Sequence, residues 1–377
     1  MKKIMKATLA KGIAAASLFA MLPVSLLAQS ELYPGHFDLE EVRLLDSPFL
    51  EAMKLNDSAL FEYDADRLLT AAVVQAGLND DPDSKYYRWK ESHPVYPIWY
   101  YESSVPHYVS SLALAYAASS DETMKMHLKE RLEYILGILK DCQDVTEGNT
   151  EGLCGYVGTE PLADMWKELY KGNTAPFIQN GGWCPFYYVH KMLAGLRDAW
   201  MYADNEAARG MYRKLTDWSV NVISNLSDGQ LQSILGVEHG GMVELLADAY
   251  SIFGDEKYLD AARRYGHDWL LDGMQSLNAT LLDGQHANST VPKFMGFERI
   301  YQVQQRSGSE VEPEYHVAAC NFWEDVVGNR TVCIGGNSVS EHFIPAAKGS
   351  QYIDNLEGPE SCNSYNMLKL SEILSDE

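Results

Sequence analysis

Apolar side chains recur every three or four residues along most of this chain, the spacing that places them on one face of an α-helix. The pattern predicts helices over residues 57–77, 105–119, 122–140, 187–203, 205–225, 242–253, 256–273 and 314–327. A further helix is predicted to begin near Asn363. The alternation typical of strands is scarce, and the best candidates for extended chain are 281–292 and 331–336. The predicted fold class is therefore all-α.

A weak internal repeat joins these helices in pairs. In four places a helix that ends near an aromatic residue is followed by a short polar turn and a second helix. The turns are Ser119-Ser120-Asp121, Asp204-Asn205-Glu206, Gly254-Asp255-Glu256 and Ser307-Gly308-Ser309. Asp, Asn and Ser favour helix N-caps, and Gly favours the residue after a helix. Hairpins repeated at intervals of roughly 50 residues predict a solenoid or a closed toroid of paired helices. The aromatic residues either fill the core or line a central bowl suited to sugar rings.

The amino-terminal segment has the composition of a secretory signal. Lysines are the charged residues before an apolar run that begins at Gly12, and small residues lie near its end at Ala28. This pattern predicts a signal peptide over residues 1–28 and an exported, periplasmic or extracellular protein over residues 29–377. No second run is long enough to span a bilayer, so no membrane anchor is expected.

Charge and cysteine content exclude some classes of protein. The chain has 53 acidic and 30 basic residues, a formal net charge of -23, so nucleic acid is not an expected partner. Six cysteines in 377 residues are too few for a disulfide scaffold. Cys142 and Cys154 are near enough in sequence to be considered as a pair that oxidises after export.

Five histidines lie in or next to polar segments that follow or open predicted helices. They are His107, His190, His239, His286 and His342. Their spacing does not match the His-x-x-x-His pattern of a helical zinc protease. A neutral imidazole both donates and accepts hydrogen bonds, which suits sugar hydroxyls. Each histidine is equally compatible with a structural role inside the protein.

Two carboxylates and a thiol are the remaining candidates for chemistry. Glu341 lies in a glycine-rich loop, where a carboxylic acid kept protonated would act as a general acid and base. Glu360 and Cys362 are two residues apart, and on extended chain such residues project to one side, as needed to grip a zinc ion. The alternatives are a surface position for Glu341, and an exposed Glu360 beside a buried Cys362.

Two long segments carry a resemblance to a known family. They are Gly335-Gly336-Asn337-Ser338-Val339-Ser340-Glu341-His342-Phe343 and Glu360-Ser361-Cys362-Asn363-Ser364-Tyr365-Asn366-Met367-Leu368-Lys369-Leu370. Further matches follow the same order along the chain: Asp66-Arg67-Leu68-Leu69, His107-Tyr108, Trp183-Cys184-Pro185, Tyr188-Val189-His190-Lys191, His239-Gly240-Gly241-Met242 and Gly284-Gln285-His286-Ala287-Asn288. Together they resemble glycoside hydrolase families 127 and 146, the β-L-arabinofuranosidases.

The resemblance implies a fold, a reaction and a set of roles. Members have an (α/α)6-barrel catalytic domain followed by β-sandwich domains, and they remove terminal β-L-arabinofuranosyl residues from plant glycans with retention. One zinc ion is held by a Glu and three Cys, one of which is the nucleophile. The implied roles are acid/base for Glu341, zinc ligands for Glu360 and Cys362, and sugar contacts for His107, His190 and His286. The implied partner is an arabinose-containing oligosaccharide or polysaccharide.

The sequence also departs from the family pattern. The family takes two zinc ligands, including the nucleophile, from a neighbouring pair of cysteines well downstream, and this sequence contains no such pair. Neither Cys320 nor Cys333 is at a matching position. We therefore expect a toroid that is incomplete at its C-terminal end, without the β-sandwich domains and with two of the zinc ligands. Val243 stands where Asn is expected, and residues 93–106 depart from the usual glycine-rich approach to His107.

Two other functions remain open at this point. The chain is also compatible with an inactive or sugar-binding remnant that keeps a histidine-lined bowl. Another enzyme on a helical toroid, an unsaturated uronyl hydrolase or a polysaccharide lyase, would use an acid pair or a Tyr/His base. In that enzyme Cys362 would have no role.

Overall fold

The computed structural model describes residues 32–79, 81, 83–86, 104–159, 162–179, 184–236, 240–278 and 280–375. The predicted signal peptide, residues 1–28, lies outside these residues. So do Trp183, His239 and residues 93–103 of the loops considered above.

Regular structure in the described part of the chain is helical. Its helices are α1 (Pro48–Ala59), α2 (Ala65–Gln75), α3 (Ser104–Ala118), α4 (Glu122–Asp144), α5 (Ala163–Tyr170), α6 (Ala175–Gln179), α7 (Pro185–Ala203), α8 (Glu206–Val222), α9 (Asp228–Leu235), α10 (Met242–Phe253), α11 (Glu256–Tyr265), α12 (Asp268–Gln275), α13 (Ala287–Ser307), α14 (Pro313–Asp325), α15 (Gln351–Asp354) and α16 (Ser361–Leu374). The described residues contain isolated β-bridges but no β-strand. Within the same residues, none of the helices has both the length and the apolar character needed to cross a bilayer.

The long helices form two layers of a helical toroid. Helices α3, α7, α10, α13 and α16 are neighbours in an inner layer, where α3 packs on α7, α7 on α10, α10 on α13, and α13 on α16. Helices α4, α8, α11 and α14 each follow one inner helix and pack against it from outside. Most side chains of α7, α10 and α13 are buried, as expected for helices with neighbours on several sides. The prediction of an all-α toroid of paired helices is confirmed.

The turns inside each helix pair explain why the chain reverses where it does. Asp204 and Gly254 end α7 and α10 in the left-handed conformation, with φ of 54° and 71°. The next residues, Asn205 and Asp255, cap the following helices with their side-chain oxygens. Each turn thus combines a residue that stops one helix with a residue that starts the next.

Four predicted elements differ from the structure. The predicted helix over 256–273 is divided into α11 and α12. Residues 281–292 were expected to be extended, but α13 begins at Ala287 and contains Pro292. Proline favours extended chain before it and removes a helical hydrogen bond, yet burial of almost the whole helix between α10 and α16 overrides that local preference. The predicted helix over 57–77 is divided, because Asp64 caps a new helix with hydrogen bonds from two backbone amides. Residues 331–336 form turns rather than a strand.

A buried network of charged side chains connects the inner helices α7, α10, α13 and α16. Arg197 of α7 donates to Glu244 and Asp248 of α10, at 3.0 and 2.6 Å. Arg299 of α13 donates to the other oxygen of Asp248, and Lys369 of α16 donates to Glu244 at 2.6 Å. Because each charge has a partner of opposite sign, the network fixes the four helices relative to one another.

Candidate active site

The candidate residues gather at the starts of inner helices. His107 lies in the first turn of α3, Cys184 and His286 precede α7 and α13, and Glu360 precedes α16. Successive inner helices run in the same direction because an antiparallel outer helix separates them. Their amino ends therefore lie at one end of the toroid. Amino ends carry positive partial charge, which favours carboxylates and thiolates there.

Glu341 lies beside His286. Nε2 of His286 is 3.6 Å from Oε2 of Glu341, and the His286 ring packs edge-on against the ring of His342, with centroids 5.3 Å apart. Backbone hydrogen bonds fix the two segments together: the amide of Ala287 donates to the carbonyl of Glu341, and the amide of Phe343 donates to the carbonyl of Gln285. The carboxylate and imidazole are thus held by the backbone on both sides.

Glu341 sits at the tip of a tight two-residue turn. The amides and carbonyls of Val339 and His342 bond to each other at 3.0 Å in both directions. Between them Ser340 and Glu341 have φ of 45° and 67°. Positive φ at both central positions is the mark of the type I′ hairpin turn, which normally uses Asn or Gly. A glutamate held in this conformation costs about 1 kcal/mol or more, and its side chain points into solvent at the mouth of the site.

Glu360 and Cys362 are neighbours in space, but the backbone conformation that brings them together is not the extended one that was predicted. Glu360 is the N-cap residue of α16 and Cys362 lies in the first turn, so the pair is not on extended chain. Burial and a hydrogen bond to Glu360 raise the pKa of the Cys362 thiol to about 12. In this state the thiol is protonated and faces the carboxylate. A sulfur and a carboxylate oxygen are both donors that zinc accepts.

Several buried polar atoms around this pair have no hydrogen-bond partner among the described residues. They belong to Glu360 (Oε2), Asn337 (Oδ1) and Asn363 (Oδ1 and Nδ2). Buried polar groups without partners cost roughly 1–3 kcal/mol each, and a bound water or ion would satisfy them. Gly336 contributes to the close packing of the two segments, because a Cβ there would lie 2.0 Å from Cβ of Pro359.

The donor chemistry fits part of a zinc site. The unpartnered Glu360 oxygen beside a thiol is the mixed O/S ligation that zinc accepts. Within the described residues, no three side chains of His, Cys, Asp or Glu come together as a group that would hold a metal ion. Glu360 and Cys362 would supply two donors to a zinc ion at this place.

A second cluster contains His107 and His190. Nε2 of His107 lies 3.1 Å from the hydroxyl of Tyr187, and the Tyr187 ring packs edge-on against His190, 6.1 Å between centroids. Burial, and then the nearby Cys184 and Cys362, raise the pKa of Tyr187 to about 12. Tyr187 thus lies within electrostatic reach of Cys362 and connects the histidines to the Glu360–Cys362 pair.

Lys191 adds a cationic group to this second cluster. Its Nζ lies 5.3 Å from the centroid of the Tyr187 ring. Burial, and then repulsion from Lys369, lower the pKa of Lys191 to about 8. Burial and the charge of Lys191 lower the pKa of His107 to about 4, although the imidazole edge is open to solvent. His107 is therefore a neutral imidazole at neutral pH, the form that exchanges hydrogen bonds with hydroxyls.

Close contacts explain why a side chain would not fit at Gly240 or Gly241. A Cβ on Gly241 would lie 2.2 Å from the His190 ring, and one on Gly240 would lie 2.0 Å from the Lys293 side chain. The start of α10 therefore packs directly on His190 of α7 and on α13. Val243, where the family pattern has Asn, is fully buried against Gly296 of α13.

The structure thus brings the predicted residues together in two groups. One contains His286 and Glu341, and the other connects His107 and His190 through Tyr187 towards Glu360 and Cys362. Sequence reasoning missed Tyr187 as a member of the site. Its position three residues before His190 and three after Cys184, on one helix face, was the available signal.

Comparisons with known proteins show the family and the fold of this chain. The family model for the β-L-arabinofuranosidase GH127 catalytic domain matches residues 41–376. A search of the curated proteins finds no match to this sequence. Among solved structures, the chain is similar to a GH127 β-arabinofuranosidase designated BT3674, with a TM-score of 0.59 and 16% identity over 89% of this chain and 51% of that one.

A second similar structure is Ara127N-Se, a GH127 β-L-arabinofuranosidase from Geobacillus stearothermophilus T6. The TM-score is 0.54 and the identity 14%, over 82% of this chain and 47% of that one. At sequence identities this low, the similarity to these solved structures establishes the helical toroid fold and nothing further. The chain spans about half the length of these solved structures. On the family match over most of its length, this chain belongs to the family of β-L-arabinofuranosidase GH127 catalytic domains.

Proposed function

We propose that this chain is the catalytic part of an exported, retaining exo-glycosidase that removes terminal β-L-arabinofuranosyl residues from plant glycans. The observation that carries the proposal is that a glutamate on a strained turn and a glutamate–thiol pair both lie at the end of the toroid where the inner helices begin. Family membership supports the substrate class, and the histidines supply neutral hydrogen-bonding groups for sugar hydroxyls.

Glu341 is the proposed general acid and base. Its position at the tip of a hairpin lets its carboxyl reach the oxygen of a leaving group at the mouth of the site. It would protonate that oxygen as the glycosidic bond breaks, and then remove a proton from the water that releases the sugar. His286, at 3.6 Å, would orient the carboxyl group and stabilise its ionised form between the two steps.

Glu360 and Cys362 are the proposed zinc ligands. Zinc bound there would supply positive charge that favours the thiolate form of its sulfur ligands. The unpartnered buried oxygen of Glu360 supports this assignment, because a cation would satisfy it. The sequence contains no two adjacent cysteines. We therefore assign the role of nucleophile to no residue of this chain.

His107 and His190 are the proposed sugar contacts. Tyr187 holds the His107 ring through the 3.1 Å hydrogen-bond contact, and Gly241 packs against the His190 ring. Both imidazoles are thereby fixed before a sugar arrives, which lowers the entropy lost on binding.

The test uses the protein expressed from its full gene and an aryl β-L-arabinofuranoside. We expect release of the aryl group, retention of configuration in the first product by NMR, and loss of activity on zinc removal. Glu341→Gln should lower kcat by at least about 100-fold, whereas Glu310→Gln, which changes an exposed glutamate between α13 and α14, is the matched control. Full activity of the Glu341→Gln protein would refute the acid/base role. Sugar binding without turnover would instead indicate a sugar-binding remnant of the family.

A further inference from the structure

A buried arginine connects the end of α14 to two loops of the candidate active site. Arg330 is fully buried and is the last residue of the π-helical turn Val326–Arg330, which follows α14. Its Nε donates to Oδ2 of Asp325 at 2.7 Å. Its Nη1 donates both to Oδ1 of Asp283 and to the carbonyl oxygen of Ile344, each at 2.8 Å. One guanidinium group thus connects three separate segments of the chain.

Two of these acceptors belong to the segments that carry the His286–Glu341 pair. Asp283 is three residues before His286, and Ile344 is three residues after Glu341. Three backbone hydrogen bonds of 2.8, 2.9 and 2.8 Å join the two segments. Arg330 adds a side-chain bridge at the end of this ladder that lies away from the Glu341 carboxyl group. The two segments are therefore held together by their own backbones and by one buried cation.

Glu341 depends on its backbone for the position of its carboxyl group. Its side chain is 60% exposed, and its Oε2 is 3.6 Å from Nε2 of His286, a distance too long for a hydrogen bond to hold it. Its φ of 67° is also unfavourable for a residue with a side chain. The place of the carboxyl group is thus set by the segment that carries it, and Arg330 holds that segment from the interior.

The bridge requires the geometry of an arginine as well as its charge. A guanidinium group is flat and presents its donors in fixed directions, so Nε and Nη1 reach acceptors on different segments at the same time. The ammonium group of a lysine is a point charge on a flexible stem. Arg330→Lys therefore keeps a positive charge beside Asp325 and Asp283 but loses the fixed spacing between the segments.

We propose that Arg330 is a positioning residue for the acid/base step, in which it fixes the place of the Glu341 carboxyl group through the backbone of the two segments. This inference rests on the proposed role of Glu341 as the acid and base. A general acid must lie within hydrogen-bond reach of the leaving oxygen. Loosening the segment should therefore weaken proton donation more than sugar binding, for which the proposed contacts are His107 and His190 on α3 and α7.

Two substrates with different leaving groups separate proton donation from a general loss of structure. A dinitrophenyl β-L-arabinofuranoside releases a phenolate that needs no proton, whereas the methyl glycoside releases an alkoxide that must be protonated as the bond breaks. The quantity measured is kcat/KM of the protein expressed from its full gene, because kcat/KM includes the step that breaks the glycosidic bond. A variant that is merely less folded should lose activity on both substrates to the same extent.

We expect Arg330→Lys to lower kcat/KM about tenfold for the methyl glycoside and less than about twofold for the dinitrophenyl glycoside. Asp283→Ala releases one segment while Arg330 keeps its contact with Asp325, so it should show the same preferential loss. It also serves as the second variant where Arg330→Lys does not fold. Arg263→Lys alters an ion pair with Glu312 on the outer layer and should not distinguish the two substrates.

Glu341→Gln, measured on the same two substrates, separates this inference from the proposed function. A preferential loss on the methyl glycoside in Glu341→Gln would support proton donation by Glu341. An equal loss on both substrates, or no loss, in folded Arg330→Lys and Asp283→Ala would then overturn the role of Arg330 alone. An equal loss on both substrates in Glu341→Gln would refute the acid/base role and this inference with it.

Discussion

Nε2 of His286 faces Oε2 of Glu341 at 3.6 Å, while Nδ1 of the same ring accepts a hydrogen bond from the amide of Ser289 at 3.3 Å. One imidazole therefore caps helix α13 and also contacts the proposed acid/base. Because the two contacts use different nitrogens, a substitution can remove one and keep the other.

Replacing His286 should separate its structural role from its proposed catalytic role. His286→Asn keeps a side-chain acceptor at the N-cap, whereas His286→Ala removes it. We expect the Ala variant to lose about 1 kcal/mol of unfolding free energy and the Asn variant less than about 0.5 kcal/mol. Both variants lose the contact with Glu341, so kcat/KM should fall about tenfold in each, equivalent to ~1.4 kcal/mol. Urea denaturation and hydrolysis of an aryl arabinofuranoside measure the two effects.

The measured unfolding free energy and the measured activity can contradict the prediction independently of each other. An Asn variant with full activity would show that His286 does not act through Glu341. An Ala variant as stable as the wild type would show that the imidazole does not cap α13.

Gly241 should be intolerant of any side chain. Its φ of -70° suits every residue, so the constraint is steric: a Cβ would lie 2.2 Å from Cε1 and Nε2 of His190. The His190 ring is buried and has little room to move. Gly241→Ala should therefore lower the unfolding free energy by about 1–3 kcal/mol and reduce sugar binding as the imidazole is displaced.

Gly210 provides the matched control. It lies within α8, and a Cβ there would meet no atom within 4 Å. Gly210→Ala should stabilise the protein by about 0.5–1 kcal/mol. In the double variant His190→Ala/Gly241→Ala the clash is absent, so the combined loss should be smaller than the sum of the single losses. Additive losses would refute a direct contact between Gly241 and His190.

The sequence predicted the helix pairs because their signals are local. Caps such as Asn205 and Asp255 act on the next turn of chain, and apolar spacing reports the buried face of an amphipathic helix. The start of helix α13 was predicted as extended chain because the helix is buried on most sides, which removes the apolar/polar alternation, and because Pro292 lies inside it. Its stability comes from packing against α10 and α16, which no local pattern records.

The sequence predicted which residues belong to the candidate site, but it did not predict how they are arranged in space. Family resemblance identified Glu341, Glu360 and Cys362, but the Glu360–Cys362 contact arises from a helix start rather than from extended chain. Tyr187 was not predicted to belong to the site, because the residues that it interacts with are distant in sequence. His107 lies 80 positions before it, and Cys362 lies far after it. Contacts between distant segments depend on the closed layer of inner helices, which sequence spacing does not encode.

Glu244 should make the stability of the protein sensitive to acid. Burial alone would raise its pKa, but attraction to Lys369 and Arg197 lowers the pKa to about 2. An unfolded glutamate has a pKa near about 4.3. Between these values the unfolded state binds more protons, so the stabilisation is complete above about pH 4.3 and is lost as the pH falls towards 2.

Glu244→Gln tests this dependence. At neutral pH it leaves Lys369 and Arg197 without one anionic partner, so the variant should be less stable by about 3 kcal/mol. The difference between wild type and variant should shrink when urea denaturation is repeated at about pH 3. Glu206→Gln replaces an exposed carboxylate and should show no such convergence. A constant difference at both pH values would refute the assignment.

The effect of the Lys191 charge on the pKa of His107 can be measured directly. Burial and the charge of Lys191 lower the pKa of His107 to about 4, so its imidazole should remain neutral at pH 5 in an NMR titration. In Lys191→Gln the repulsion is removed, and the His107 pKa should rise while remaining below that of an exposed histidine, because burial persists. Lys257→Gln, a lysine paired with Asp217 on the outer layer, should leave the titration of His107 unchanged. A His107 pKa that is identical in wild type and Lys191→Gln would show that the two side chains do not share a site.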